Sequence, residues 1–122
     1  MTPFKKRGRG RTVRRIAGTM NRTEAAYALV LADRQQRGEV LWFKFEPITF
    51  RLGDDLRYTP DFVVQLASGD VELHEVKGGF IESHGKTKPK ACAEMYPFRV
   101  VLAQKIRNEP WAYTGWGFEE QK

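Results

Sequence analysis

From Asn21 onward the hydrophobic positions fall into segments of changing period. The stretch to residue 37 carries Ala25, Ala28, Leu29 and Ala32 at helical spacing. Asn21 can cap such a helix, Glu24 stands where a capping-box partner belongs, and Gly38 supplies the stop. The pattern predicts a helix over 22–37 with the Ala25/Ala28/Leu29/Ala32 stripe turned inward. Positions 40–45 (VLWFKF) and 48–52 then read as strands, followed by the polar turn Gly53-Asp54-Asp55. Two more strands, 62–67 and 71–77, are joined around Ser68-Gly69-Asp70 as a hairpin, and Gly78-Gly79 breaks the second. Lys86, Lys88 and Lys90 lead into a short helix near 88–96, ended by Pro97, and 98–103 (FRVVLA) returns as a strand. The tail from Lys105 is aromatic-rich and shows no clear period. The order α-β-β-β-β-α-β predicts an α+β, or mixed α/β, domain with a sheet flanked by helices.

Composition narrows the class. The 122 residues are 41% hydrophobic and 30% charged, enough for one core and one domain. Cys92 is the single cysteine, so no internal disulfide forms, and no Cys/His spacing suggests zinc. No apolar run approaches the ~20 residues of a membrane span, and the basic start lacks the apolar stretch of a signal peptide. A cytoplasmic setting is expected.

The charge is unevenly spread. Of the net +6, residues 1–22 hold eight cations and no acid, which leaves the rest of the chain at −2. Residues 1–20 read as a flexible basic arm, 21–104 as the core, and 105–122 as an aromatic extension packing on the core or on a dimer partner. Arg7, Arg9, Arg11, Arg14 and Arg15 of the arm are expected to bind nucleic acid by releasing condensed counterions.

Chemistry concentrates in Pro60-Asp61 and, fourteen positions beyond Asp61, Glu75-Val76-Lys77. Side chains alternate along a strand, so Asp61, Val63 and Gln65 share one face, as do Leu73, Glu75 and Lys77. In an antiparallel hairpin the index sum of opposed residues is constant. A loop at 67–69 gives 136 and sets Asp61 opposite Glu75; a loop at 68–70 gives 138 and sets it opposite Lys77. A two-residue loop would put Asp61 on the other face. Two carboxylates paired about 5 Å apart repel by about 3 kcal/mol at an effective dielectric of 20. Few, hard oxygen donors suit Mg²⁺ or Mn²⁺ better than zinc. A lysine beside them can stabilise charge on a phosphate or orient an attacking water. These parts fit metal-assisted phosphodiester hydrolysis.

Tyr58-Thr59-Pro60-Asp61-Phe62 followed by His74-Glu75-Val76-Lys77-Gly78 resembles the PD-(D/E)XK nuclease signature. Asn21-Arg22-Thr23-Glu24 and Lys88-Pro89-Lys90 with Tyr96-Pro97-Phe98 resemble small phage-encoded members, near the junction-resolving and transposon-end-cutting branch. The resemblance covers roughly residues 20–103. It implies an αβββαβ, restriction-endonuclease-like core and a Mg²⁺-dependent DNA endonuclease, with Mn²⁺ able to substitute. It further implies that Asp61, Glu75 and the Val76 carbonyl ligate the metal, Lys77 is the catalytic lysine, and Glu24 stands beside the metal. Lys88 and Lys90, and more weakly Lys86, would hold substrate phosphate. Branched DNA such as a Holliday junction, a homodimer, and a phage protein in a bacterial cytoplasm are the further expectations. The alternative is a non-catalytic nucleic-acid-binding protein on a nuclease fold.

Other residues receive structural expectations. His74 has the wrong parity for the site face and belongs on the reverse side. Trp42, Phe43 and Phe45 are expected in the core, and Cys92 is expected to be buried and inert. Trp111, Tyr113, Trp116 and Phe118 are expected to pack or dimerise rather than stack on bases. Glu24 could serve the capping box alone, with its side chain turned back on Asn21.

Overall fold

A computed structural model describes residues 18–79 and 83–117, without the side chains of Ser83 and His84. The arm arginines Arg7, Arg9, Arg11, Arg14 and Arg15, and Phe118, lie outside the described residues. The elements are α1 (Arg22–Gln36), β1 (Val40–Phe45), β2 (Phe50–Gly53), β3 (Leu56–Tyr58), β4 (Phe62–Leu66), β5 (Val71–Gly78), α2 (Thr87–Met95), β6 (Arg99–Lys105) and β7 (Ala112–Trp116). A single 3₁₀ turn, Ser83–Lys86, leads into α2. Among the described residues no helix is long and apolar enough to cross a membrane.

The strands β1-β4-β5-β6-β7 form one sheet, and β2-β3 a separate hairpin. All neighbours in the large sheet are antiparallel except β5 and β6. A parallel pair needs a crossover, and α2 lies in it. The fold is thus α+β with a mixed central sheet. With the β2-β3 hairpin and the final strand β7 set aside, α1-β1-β4-β5-α2-β6 is the αβββαβ order that the resemblance implies.

Alternation along the strands divides the core into two layers. Phe62, Val64, Val76 and Ala103 face α1 and pack on Tyr27 and Leu31. Val63, Leu73 and Val100 face the other way and pack on Phe50, Tyr58 and Cys92 from the hairpin and α2. Cys92 is fully buried, and its thiol is pushed up to about 11 by burial, as an inert core cysteine requires.

Three expectations are corrected. The buried residues of α1 are Glu24, Tyr27 and Leu31; of the expected stripe Ala28 does pack against the core at partial burial, but Ala25 is exposed and Leu29 is 73% exposed. Tyr27 wins the inward position because its ring contacts Phe62 and Trp111 while its hydroxyl reaches a partner on β5. Trp42 is 41% exposed, its indole N–H donating to Gln65 Oε1 at 2.7 Å, whereas Phe43 and Phe45 do pack on the core. Lastly, β3 and β7 were absent from the sequence pattern. β7 brings Trp111 against the α1 layer and Trp116 against the α2 layer.

Candidate active site

The β4–β5 hairpin decides where the carboxylates go. Phe62 pairs with His74 and Val63 with Leu73, an index sum of 136. Leu66 N–H donates to the Asp70 carbonyl at 2.8 Å, so the loop is 67–69, with Gly69 at φ +99°. Continued by one residue, this register sets Asp61 opposite Glu75, the first of the two registers compatible with a shared face. Asp61 Oδ2 accepts from the Val76 N–H at 2.7 Å, and the Asp61 carbonyl accepts from the Glu46 N–H at 2.9 Å. Asp61 is therefore held from both sides at the end of its strand.

Glu75 is also fixed. The Tyr58 hydroxyl donates to its Oε1 at 2.8 Å, and Lys77 Nζ lies 3.2 Å from its Oε2. Tyr58 is buried, and burial together with the Glu75 charge holds its phenol well above the ordinary range, so it stays a donor. Sequence reasoning placed Tyr58 inside the motif and gave it no role. Its signal was a tyrosine two residues ahead of Pro60, flanked by the polar Arg57 and Thr59.

Glu24 arrives from the opposite layer. Its Oε1 accepts from the Asn21 N–H at 2.9 Å while its own N–H donates to Asn21 Oδ1 at 2.8 Å, a complete capping box. The side chain is buried and also meets the Asp61 carboxyl in a hydrogen bond. Capping and proximity to the site are thus compatible. Gly78 permits the approach, since a Cβ there would come within 3.0 Å of Thr23 Oγ1 on the first turn of α1.

Three acids in contact, two of them strand-opposed, carry the electrostatics. Burial, then the charges of Glu75 and Glu24, push the Asp61 carboxyl up to about 8, against the pull of the Val76 N–H. Burial also raises Glu75, against the opposing effects of Tyr58 and Lys77. Among the described residues no group of three or more His, Cys, Asp or Glu is arranged to hold a metal ion. The donor chemistry that remains is the Asp61–Glu75 pair, and one or two carboxylates are what Mg²⁺ takes when substrate phosphate and water complete its shell.

The basic residues divide differently. Lys88 and Lys90 are exposed on α2, whose inward residues are Pro89 and Cys92, and Lys86 sits at its N-cap. None of the three lysines forms an ion pair among the described residues. At the other edge, the Gly18 N–H donates to Glu46 Oε1 at 3.2 Å, so the described chain starts beside the residue that binds the Asp61 carbonyl. His74 lies on the reverse side, as its parity predicts, bonded to Tyr27 and Glu72.

One solved structure is similar in outline. It is Hjc of Archaeoglobus fulgidus, a Holliday junction resolvase from an archaeal hyperthermophile, at 12% identity over 74% of each chain with a TM-score of 0.47. No family model and no curated protein sequence matches the chain.

Proposed function

We propose that this protein is a Mg²⁺-dependent DNA endonuclease, with Mn²⁺ as a substitute. One observation carries the reading: Asp61, Glu75 and Glu24 meet in a buried cluster with Lys77 at its margin. A fold gains nothing from placing three acids together unless a cation joins them in the working state. Asp61 and Glu75, with the Val76 carbonyl, would hold the metal, and Glu24 would stand behind it. The bound ion would supply Lewis-acid charge beside the scissile phosphate.

The chain's own groups do the rest. Tyr58 keeps Glu75 turned into the site by donating to one oxygen. Lys77, paired with the other oxygen, is 40% exposed and so faces both the cluster and an incoming phosphate. There it can orient a water and offset charge on the phosphoryl oxygens. Water adds to phosphorus, one P–O ester bond breaks, and a phosphate monoester and a hydroxyl result.

The reading extends to branched DNA cut by a homodimer. A near-neutral body with a basic arm suits recognition of backbone and shape. The test incubates the protein with a labelled four-way junction, the matching duplex and single strand, with Mg²⁺, Mn²⁺ or EDTA, and Asp61→Ala beside every lane. Metal-dependent cleavage lost in the variant supports the endonuclease. Equal cutting of all three DNAs discards junction selectivity, and binding without cleavage in any metal overturns the enzyme.

A further inference from the structure

We propose that the solvent face of the β2–β3 hairpin binds the phosphodiester backbone of DNA flanking the cleavage site, a proposal that rests on the endonuclease reading for the identity of its ligand. The register pairs Phe50 with Tyr58 and Arg51 with Arg57. Directly opposed residues share a face, so both guanidinium groups project from the same side. The other side carries Phe50 and Tyr58, buried on the core.

Two arginines directly opposite each other repel, and a hairpin selected only for stability would pair one of them with an acid. Arg51 is held by Asp54 at 2.9 Å, on a side chain that is almost fully exposed. Arg57 forms no ion pair among the described residues. Thr49 and Thr59 continue the same face, their hydroxyls 2.7 Å apart. The ladder therefore presents two guanidinium groups and, since one threonine hydroxyl donates to the other, one free hydroxyl donor, with no carboxylate at any of the four positions. Guanidinium forks match phosphate oxygens in pairs, and threonine hydroxyls donate to them singly.

The face is also rigid and well placed. Phe50 packs on Tyr96 and Phe98, and the Tyr96 hydroxyl donates to the Arg51 carbonyl at 2.6 Å, which ties the hairpin to the end of α2. Tyr58, the residue after Arg57, donates to Glu75. Asp61 is four residues beyond Arg57, so their Cα atoms are at most about 14 Å apart. That is about four steps of duplex at 3.4 Å each. A strand whose scissile phosphate sits at Asp61 and Glu75 thus passes within reach of Arg57 and Arg51.

The experiment measures binding of the full chain to a 20-base-pair duplex in EDTA, by fluorescence anisotropy from low to physiological salt. Wild type, Arg57→Gln, Arg51→Gln/Arg57→Gln and Arg57→Lys are compared, with thermal melts confirming that each is folded. Each arginine removed should flatten the slope of log affinity against log salt by about 0.9, and Arg57→Lys should restore it. An unchanged slope in the folded double variant overturns the proposal, as does a wild type that binds no duplex at low salt. A flattened slope without cleavage in Mg²⁺ keeps the hairpin surface and removes the nuclease reading instead.

Discussion

The two faces of β5 carry polar networks of opposite character within five residues. On the reverse face, the Tyr27 hydroxyl meets His74 Nδ1 at 2.7 Å and His74 Nε2 meets Glu72 Oε1 at 2.9 Å, with Arg99 3.8 Å from Glu72. Burial lowers the His74 pKa, so the ring is neutral and passes one hydrogen bond along the chain. Against the upward pull of burial, His74 and Arg99 hold Glu72 below its ordinary range. The Glu72 carboxylate there is flanked by a hydrogen-bond partner in His74 and a cation in Arg99. On the front face Asp61, Glu75 and Glu24 confront one another, with one lysine at the margin. The first network sets its acid against a base and a cation, and the second lacks positive charge. Completed polar networks stabilise a fold, whereas a deficit of this kind costs stability and is kept where a ligand supplies what is missing.

The sharpest way to break this comparison is to neutralise the front. Asp61→Asn should cut cleavage by at least about 10²-fold, the scale for losing one preorganised electrostatic group. The same change should leave stability near neutral pH equal or higher, because it removes the cost of holding a carboxyl protonated in the folded state that ionises in the unfolded one. A melt and a cleavage assay on one preparation check both. Loss of stability together with activity would show that Asp61 is a structural acid.

Breaking the reverse face should do the opposite. His74→Ala strips the Tyr27 hydroxyl and Glu72 of a shared partner and opens a cavity in a fully buried position. The expected cost is about 2–4 kcal/mol of unfolding free energy by urea titration. Cleavage per folded molecule, measured well below the melting temperature, should change little. A large loss of kcat in folded protein would merge the two faces into one functional unit.

The proton balance gives a third contrast. Asp61 has a folded pKa of about 8 against an ordinary 3.8. The folded state therefore holds its proton more tightly than the unfolded state. The stabilising contribution is full below the unfolded value and is lost as pH rises through about 8. In EDTA, the melting temperature should fall between pH 5 and pH 9, and Asp61→Asn should flatten that fall. Mg²⁺ should restore stability at the alkaline end, since it binds the ionised form. A metal-free melt independent of pH would contradict the crowded cluster.

How much of this could be read in advance follows the same division. The front face was legible because period-2 alternation and loop length are local: Asp61, Glu75 and Lys77 converge once the turn is 67–69. The reverse face was legible only as parity. That His74 lies away from the site follows from alternation, but its partner Tyr27 belongs to α1, and the rotation of a helix on a sheet is set by tertiary packing. The alanine-rich helix offered two stripes of similar strength, and the aromatic ring with a satisfiable hydroxyl prevailed over Leu29. β7 was illegible for a related reason: Ala112–Trp116 includes glycine and has a mostly exposed edge, so only its pairing with β6 makes it a strand.

Glu24 joins the two behaviours, and its replacement is the finest test. One carboxylate oxygen completes the capping box with Asn21, and the group also meets Asp61. Glutamine serves a capping box as well as glutamate does, so Glu24→Gln should keep α1 intact within about 0.5 kcal/mol. What it removes is negative charge beside Asp61. Cleavage should fall by about 10-fold at limiting Mg²⁺, a change of about 1.4 kcal/mol in transition-state stabilisation, and recover in part as Mg²⁺ is raised. Asn21→Ala makes the complementary change: it deletes the side-chain cap at a cost of about 1 kcal/mol and leaves the Glu24 carboxylate in place. If both variants lower stability and neither alters the Mg²⁺ requirement, Glu24 is a cap alone. If Glu24→Gln shifts the Mg²⁺ dependence while Asn21→Ala shifts only the melt, the first turn of α1 is part of the metal site.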